Sequence, residues 1–146
     1  TKQFGEERSS LNNVILTPNT PDMRPIYARA KVLLALSLWW ESFGRVAMEA
    51  AMNGIPVISS NYGGLIEATP KQSKKITFPK ELHSAPYTAI PSTAFCRYIT
   101  DEIFKLMYDK GYYDKQKAAA INHSQRNNIT TSTKRLTTAL NKLRNS

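Results

Sequence analysis

Cysteine is almost absent from this sequence. The single cysteine, Cys96, has no partner for an internal disulfide, and no cysteine cluster of the zinc-binding kind exists. A chain without disulfides is typical of a reducing compartment, so we expect a cytoplasmic protein. The sequence also has no Ser/His/Asp, metal-ligand or phosphate-loop pattern, and we expect neither a metal nor another cofactor.

Long hydrophobic runs are missing as well. The longest nearly continuous apolar run, Val32 to Trp40, is about half of what a membrane-spanning helix needs. The first residues show no signal-peptide pattern. The sequence begins with threonine rather than methionine, which we interpret as a sign of an excised fragment or a processed chain.

Acidic residues are scarce, at 11 Asp and Glu against 20 Lys and Arg. The deficit is concentrated in residues 111–146, which contain seven basic residues and one acidic residue, Asp114. A basic region attracts the phosphates of nucleic acid, anionic lipid or nucleotide, although a solvated helical face is the simpler alternative. A chain of 146 residues is the size of one ordinary domain.

The apolar pattern predicts an α/β fold, a Rossmann-like parallel sheet of about four strands flanked by helices and followed by C-terminal helices. In such a sheet the carboxyl ends of all strands meet at one edge, where ligands bind. Gly54 and Gly111 are expected to end the helices that precede them. The predicted strands are 13–17, 32–37, 55–59 and 75–78, and the predicted helices are 22–31, 43–53, 65–68, 93–110, 112–127 and 129–144.

The segment after the second predicted strand carries the candidate chemistry. A helix beginning near Phe43 or Gly44 would present free N–H groups and a positive dipole end to a phosphate. Gly44 is expected to let a ligand approach the backbone closely. Glu41 and Glu49 stand roughly 10–12 Å apart at helical rise, on the order of the distance from sugar to ribose in a nucleotide sugar. Carboxylates also accept hydrogen bonds from pairs of sugar hydroxyls.

These residues form part of a longer pattern. Glu41-Ser-Phe-Gly-Arg-Val-x-x-Glu49-Ala is followed by Gly-Ile-Pro-Val at 54–57 and Gly-Gly-x-x-Glu at 63–67. The pattern resembles the donor-site signature of GT-B glycosyltransferases of the retaining family 4 kind (glycosyl transferases group 1). The resemblance implies that residues 1–146 form a single, truncated donor-binding domain. The N-terminal acceptor domain and the first two strands of the donor domain would be absent.

The resemblance also implies a function and a set of site residues. The parent enzyme would be a hexosyltransferase that moves a sugar from a UDP- or GDP-sugar to a glycan or lipid-linked acceptor, without a metal. Peripheral contact with the cytoplasmic face of a membrane is implied for many such enzymes. Glu41 would contact the donor sugar as the catalytic residue and Glu49 would hold the ribose. The other donor-binding residues would be Ser42, Phe43, Gly44, Arg45 and Val46, with Trp40, Gly63 and Gly64 as further candidates.

Simpler interpretations stand beside these roles. An ion pair between Arg45 and Glu49, four positions apart, explains both residues, and Glu41 alone suits a helix start. Two aromatic residues that end a buried strand, Trp39 and Trp40, are expected in the core. The remaining candidates also have structural interpretations: a turn for Gly63 and Gly64, a structural role for Glu67, and solvated side chains for His83 and His123.

Two other functions compete with the glycosyltransferase. One is a non-catalytic nucleotide-binding module with the same fold. The other is a basic nucleic-acid-binding domain built on residues 111–146, which lacks the aromatic residues that such surfaces usually interleave with charge. The loss of the central strands also leaves two structural outcomes: strand 13–17 docks beside strand 32–37, or the chain is part of something larger.

Overall fold

The computed structural model describes residues 12–144 and contains one small parallel sheet in the order β1–β2–β3. Leu33 pairs with Val57, and Ser59 pairs with Lys75. The strands are β1 (Leu33–Ala35), β2 (Val57–Ser60) and β3 (Lys75–Ile76). The helices are α1 (Arg24–Arg29), α2 (Arg45–Met52), α3 (Leu65–Ala68), α4 (Thr93–Tyr108), α5 (Lys110–Arg126) and α6 (Ile129–Arg144), with a 3₁₀ turn at Lys80–His83.

Helices cover both faces of the sheet, which explains why its central strand is buried throughout. All four residues of β2 are buried. On one face, Val57 packs with residues of α1, α2 and α3. On the other, Ile58 packs with Ile76 and with Leu106 of α4. The predicted α/β fold is therefore confirmed, with three strands in place of about four.

The predicted strand at 13–17 is wrong. This segment forms no strand, and its apolar side chains are exposed, Ile15 by 83%. β-Branched residues favour a strand only where a neighbour satisfies the backbone N–H and C=O groups. In the described part of the chain β1 pairs with β2 alone, so 13–17 does not dock beside it.

Capping residues explain where the helices begin and end. Gly54 adopts φ +68° after α2, as predicted, and the Ser92 hydroxyl caps α4 by accepting a hydrogen bond from Phe95 N–H at 3.2 Å. Gly111 does not end a helix: it lies in the first turn of α5. The break falls at Asp109, because its carboxylate caps α5 by accepting from Tyr112 N–H at 2.9 Å.

The C-terminal helices differ in how much they contribute to the core. α5 packs against α2, with Ile121 and Lys117 lying where a side chain at Gly54 would be. α6 buries none of its residues. Within residues 12–144, none of the helices combines the length and the apolar character that a bilayer span requires.

Candidate functional site

The loops that follow the three strands meet at the carboxyl edge of the sheet. Buried Ser60, the last residue of β2, donates its hydroxyl hydrogen to the carbonyl of Ser37 in the loop after β1. Asn61 N–H donates to the carbonyl of Ile76 in β3 at 2.8 Å. These bonds hold the loops 36–44 and 61–64 over the end of the sheet, where open α/β folds bind ligands.

A direct backbone contact joins the two loops. Gly64 N–H donates to the Glu41 carbonyl at 2.7 Å. A Cβ on Gly64 would lie 2.4 Å from the Ser42 carbonyl oxygen and from Phe43 Cα, and one on Gly63 would lie 2.8 Å from the Glu41 oxygen. The two glycines therefore do more than make a turn: they let the 41–43 backbone pack against them.

Gly44 has a structural role that differs from the one expected. It adopts φ +80° and precedes α2. Its hydrogen faces the protein interior, because an added Cβ would lie 2.4 Å from the Leu65 side chain. The missing side chain makes room for Leu65 rather than for a ligand, and the left-handed conformation favours glycine.

The N-terminus of α2 is left without a side-chain cap. The Gly44 carbonyl accepts from Ala47 and Met48 N–H, at 3.0 and 3.4 Å, so the helix begins at Arg45. The N–H groups of Arg45 and Val46 have no carbonyl within the helix to bond. Free N–H groups at the positive end of a helix can bind an anion.

Glu49 is held by two neighbours in the described structure. Its Oε2 accepts a hydrogen bond from the Tyr27 hydroxyl of α1 at 2.9 Å. Its Oε1 lies 3.6 Å from the Arg45 guanidinium, which is 87% exposed. Such an exposed pair contributes little stability and can rearrange around a ligand. The predicted ion pair exists, and the Tyr27 bond engages only one of the two carboxylate oxygens.

Burial and the Glu49 carboxylate both act on Tyr27. Only 7% of the Tyr27 surface is exposed. Burial, followed by the hydrogen bond to Glu49 and its charge, raises the pKa of Tyr27 to about 12. Tyr27 therefore stays protonated at neutral pH and acts as a permanent hydrogen-bond donor to Glu49.

The Glu41 carboxylate is in a different situation. The residue is partly buried, and its backbone is fixed by Gly64. Within residues 12–144, no hydrogen bond or ion pair engages its side chain. One carboxylate of the pair is thus positioned by protein groups, and the other is left for solvent or a ligand.

An aromatic cleft of 490 Å³ is lined by Trp39 and Trp40, the residues just before Glu41. The prediction that Trp39 and Trp40 lie in the core is wrong, since they are 73% and 72% exposed. Trp40 meets Tyr62 edge to face at 5.0 Å between ring centroids, and Trp39 stacks on Tyr87 at 6.1 Å. The indoles lie beyond the end of β1, where the sheet no longer covers them. Exposed aromatic faces of this kind suit a sugar or a base.

The apolar residues of α2 and of the turn before it are buried only in part. Ala47, Ala50 and Ala51 are fully buried, whereas Phe43 and Val46 are 41% and 43% exposed. The two exposed residues flank the free N-terminus of the helix, where no element of the described structure covers them. They add apolar surface to the site.

Neither histidine is fully solvated, contrary to expectation. His83 is partly buried and lines the aromatic cleft beside Tyr62. His123 is partly buried and lies in a second cleft together with exposed Glu67. In residues 12–144, side chains of His, Cys, Asp and Glu do not gather in threes that could hold a metal ion.

The site contains residues that sequence reasoning did not single out, namely Tyr27, Tyr62 and Tyr87. Tyr27 lies within the predicted helix 22–31, but nothing in the sequence connected it with Glu49, 22 positions away. Tyr62 immediately precedes the glycine pair, and this adjacency was the available signal. Tyr87 lies in the loop between the 3₁₀ turn and α4 and adopts φ +60°.

The sequence matches a known family model. Residues 2–85 match the family described as glycosyl transferases group 1. Over 57 residues the chain is 44% identical to a D-inositol 3-phosphate glycosyltransferase from Salinispora arenicola, covering 39% of this chain and 13% of that protein. Over 108 residues it is 30% identical to an uncharacterized glycosyltransferase from Methanocaldococcus jannaschii, covering 71% and 27%. The chain thus spans well under half the length of these relatives.

Solved structures share the fold. The GtfA/B complex superposes with a TM-score of 0.73 at 18% identity, over 99% of this chain and 27% of that one. Anabaena Alr3699/HepE, solved in complex with UDP-glucose, gives 0.70 at 21% identity, over 97% and 36%. At these identities the likeness establishes the fold.

We predict that Gly64→Ala destabilises the protein by about 1–3 kcal/mol, the usual cost of overpacking, because its Cβ would overlap the 42–43 backbone. The matched control is Gly111→Ala, whose Cβ would meet only Asp109 Oδ1 at 3.5 Å. Alanine is the better helix former, so the control should be neutral or stabilising by up to about 1 kcal/mol. Urea unfolding followed by circular dichroism measures both. Equal effects of the two substitutions would contradict the packing argument.

We predict that Tyr27 makes stability depend on pH in alkaline solution. Because the folded-state pKa of Tyr27 is raised to about 12, its contribution is fully present below about pH 10 and is lost as the pH rises towards 12. Tyr27→Phe should therefore lower the unfolding free energy at pH 8 by on the order of 1 kcal/mol, and by less at pH 11. Exposed Tyr87→Phe is the control. A Tyr27→Phe effect that is constant across this range would refute the prediction.

Proposed function

Because the chain belongs to the glycosyl transferases group 1 family, we propose that it forms the donor-binding part of a retaining hexosyltransferase. The parent protein would move a sugar from a UDP- or GDP-sugar to an acceptor hydroxyl. The acceptor, a glycan or a lipid-linked sugar, would bind a domain on the N-terminal side of this one. The proposal rests on one observation above others: an uncapped helix N-terminus flanked by two carboxylates at the carboxyl edge of the sheet.

The geometry supports a role for each group of the site. The diphosphate would bind the free N–H groups at Arg45 and Val46, and the Arg45 guanidinium would turn from Glu49 towards it. These positive groups would stabilise the diphosphate as it leaves the sugar, which is electrostatic catalysis of leaving-group departure. Metal would not be required for that step.

The two carboxylates, Glu41 and Glu49, would bind different parts of the donor. Glu49, oriented by Tyr27, would accept from the ribose hydroxyls through Oε1. Glu41, which no described protein group engages, would contact the donor sugar and orient its anomeric carbon. We place the sugar beside Trp40, with the glycine pair fixing the Glu41 backbone. A uracil or guanine base would lie towards Glu49.

We predict that UDP or GDP binds this chain and that Glu49→Gln weakens binding about tenfold, through loss of one charged hydrogen bond. Ligand-observed NMR with UDP, GDP, UDP-glucose and GDP-mannose provides the measurement. UDP-glucose is a sensible first probe, since it was the ligand of the HepE structure. Exposed Glu81→Gln on the 3₁₀ turn is the control.

An unchanged affinity in Glu49→Gln would refute the ribose role. A full-length parent that binds a nucleotide sugar but shows no turnover would favour a second function, a non-catalytic binding module. The assay for that distinction is release of UDP or GDP in the presence of candidate acceptors.

We further propose a cytoplasmic location with α6 resting on the anionic face of a membrane. Ile129, Leu136 and Leu140 repeat at helical spacing and are 83%, 61% and 55% exposed. Lys134 and Lys142 project from the other side of the helix, in a face with no acidic residue. Apolar and basic faces of this kind are typical of helices that lie in the membrane interface.

We predict that the chain co-sediments with vesicles of phosphatidylglycerol and phosphatidylcholine at low salt, and not with phosphatidylcholine alone. Replacing both Leu136 and Leu140 with serine should reduce the bound fraction at least about threefold, because apolar burial is lost. Thr138→Ser on the polar face is the control. Binding to DNA or RNA with a steep salt dependence, unaffected by the leucine substitutions, would instead favour a nucleic-acid surface.

A further inference from the structure

A second cleft, of 690 Å³, opens between α5 and the segment formed by α3 and the loop after it. The residues that line it are separate from those of the aromatic cleft. Its charged lining consists of Lys71, Lys75 and Arg126 against a single carboxylate, Glu67. The proposed donor site does not use this cleft.

The cations of this cleft come from two directions. Lys71 and Lys75 lie in the loop before β3 and at the start of that strand, and exposed Arg126 is the last residue of α5. The half-buried ammonium of Lys75 donates to the Pro70 carbonyl at 2.7 Å, and burial lowers its pKa. Among the described residues none of the three cations forms an ion pair with Glu67. Their charge is therefore left for another partner.

His123 stands among these cations. Its Nε2 is shielded from solvent and forms no hydrogen bond of ordinary geometry among the described residues. Burial lowers the pKa of His123, the carbonyls of Glu67 and Ala68 oppose that effect, and the charges of Lys75 and Arg126 add to the lowering. The ring therefore lies where its pKa responds to any charge that enters the cleft.

We propose that this cleft binds a phosphate group, with Lys71, Lys75 and Arg126 supplying the charge. A phosphate offers several acceptor oxygens, which matches converging ammonium and guanidinium donors better than a single carboxylate does. Neutral amides of Gln72, Asn122 and Asn127 also line the cleft and can donate to the remaining oxygens.

The cleft is distinct from the donor site but borders one of the same elements. α3 has four residues. Gly64, at its amino end, contacts the Glu41 backbone, while Glu67 and Thr69, at its other end, line the second cleft. Phosphate binding here is therefore a separate property from nucleotide binding, and either proposal can fail alone.

The two histidines of the chain provide the experiment. Ring proton signals of His83 and His123 are followed by NMR while inorganic phosphate is added at constant ionic strength, with chloride as the balancing anion. We expect a saturable shift of the His123 signal and a rise of its pKa, because an anion favours the imidazolium. The other groups that face the ring are Glu67, Lys75, Arg126 and the Ala68 carbonyl. His83 should not respond.

Variants inside and outside the cleft then distinguish phosphate binding in the cleft from a general effect of salt. Arg126→Ala should weaken the apparent phosphate affinity about tenfold, the equivalent of one charged hydrogen bond. Lys115→Ala, an exposed cation on the same helix outside the cleft, should leave it unchanged. Glu67→Gln should strengthen binding, since it removes the one like charge. Glu49→Gln should have no effect, which distinguishes this cleft from the donor site.

Equal weakening by Arg126→Ala and Lys115→Ala, or parallel shifts of both histidines, would overturn the proposal. Vesicles containing phosphatidic acid serve as the second probe. A shift of the His123 signal with free phosphate assigns a soluble ligand. A His123 shift with the vesicles alone, lost in Arg126→Ala, assigns a lipid headgroup. No response to either probe also overturns it.

Discussion

The contact between Gly64 and the Glu41–Phe43 backbone is the constraint on which the candidate site depends. Two loops from neighbouring strands approach so closely that no side chain fits between them. One hydrogen bond, from Gly64 N–H to the Glu41 carbonyl, fixes their spacing. The start of α2 follows from that contact, and so do the positions of Glu41, ahead of the helix, and Glu49, inside it. Gly44 is packed against the Leu65 side chain next to this contact.

The order of the parallel strands and the helices between them could be predicted from the sequence, and the reasons are local. β2 is buried throughout because helices cover both of its faces, and its apolar start, Val57 and Ile58, is visible in the sequence. Gly54 ends α2 because its left-handed conformation suits glycine. The prediction that Gly111 ends a helix was wrong because helix ends depend on capping partners as well as on glycine. Here the Asp109 carboxylate supplies the cap. The prediction of a strand at 13–17 was wrong because strand propensity carries no information about a pairing neighbour.

The resemblance to a donor-site signature predicted Glu41 and Glu49 as candidate residues, but the long-range contacts around them could not be predicted. Glu41 lies in the loop before α2 and Glu49 lies within α2, so both belong to one short stretch of sequence. The bond from Tyr27 to Glu49 joins residues 22 positions apart, and no periodicity encodes it. The glycine pair was identified as a turn, but its second task depends on the 41–43 backbone, which lies close only after folding. The exposure of Trp39 and Trp40 likewise depends on where the sheet ends rather than on residue type.

The placement of the two tryptophans has a spectroscopic consequence. The chain contains only these two, and both stand at the aromatic cleft with more than 70% of their surface exposed. Indole emission is therefore a local reporter of the cleft and says little about the core. Since both rings are already hydrated in the folded state, unfolding should shift their emission only slightly. A ligand that covers either ring would change the emission more than loss of the fold does.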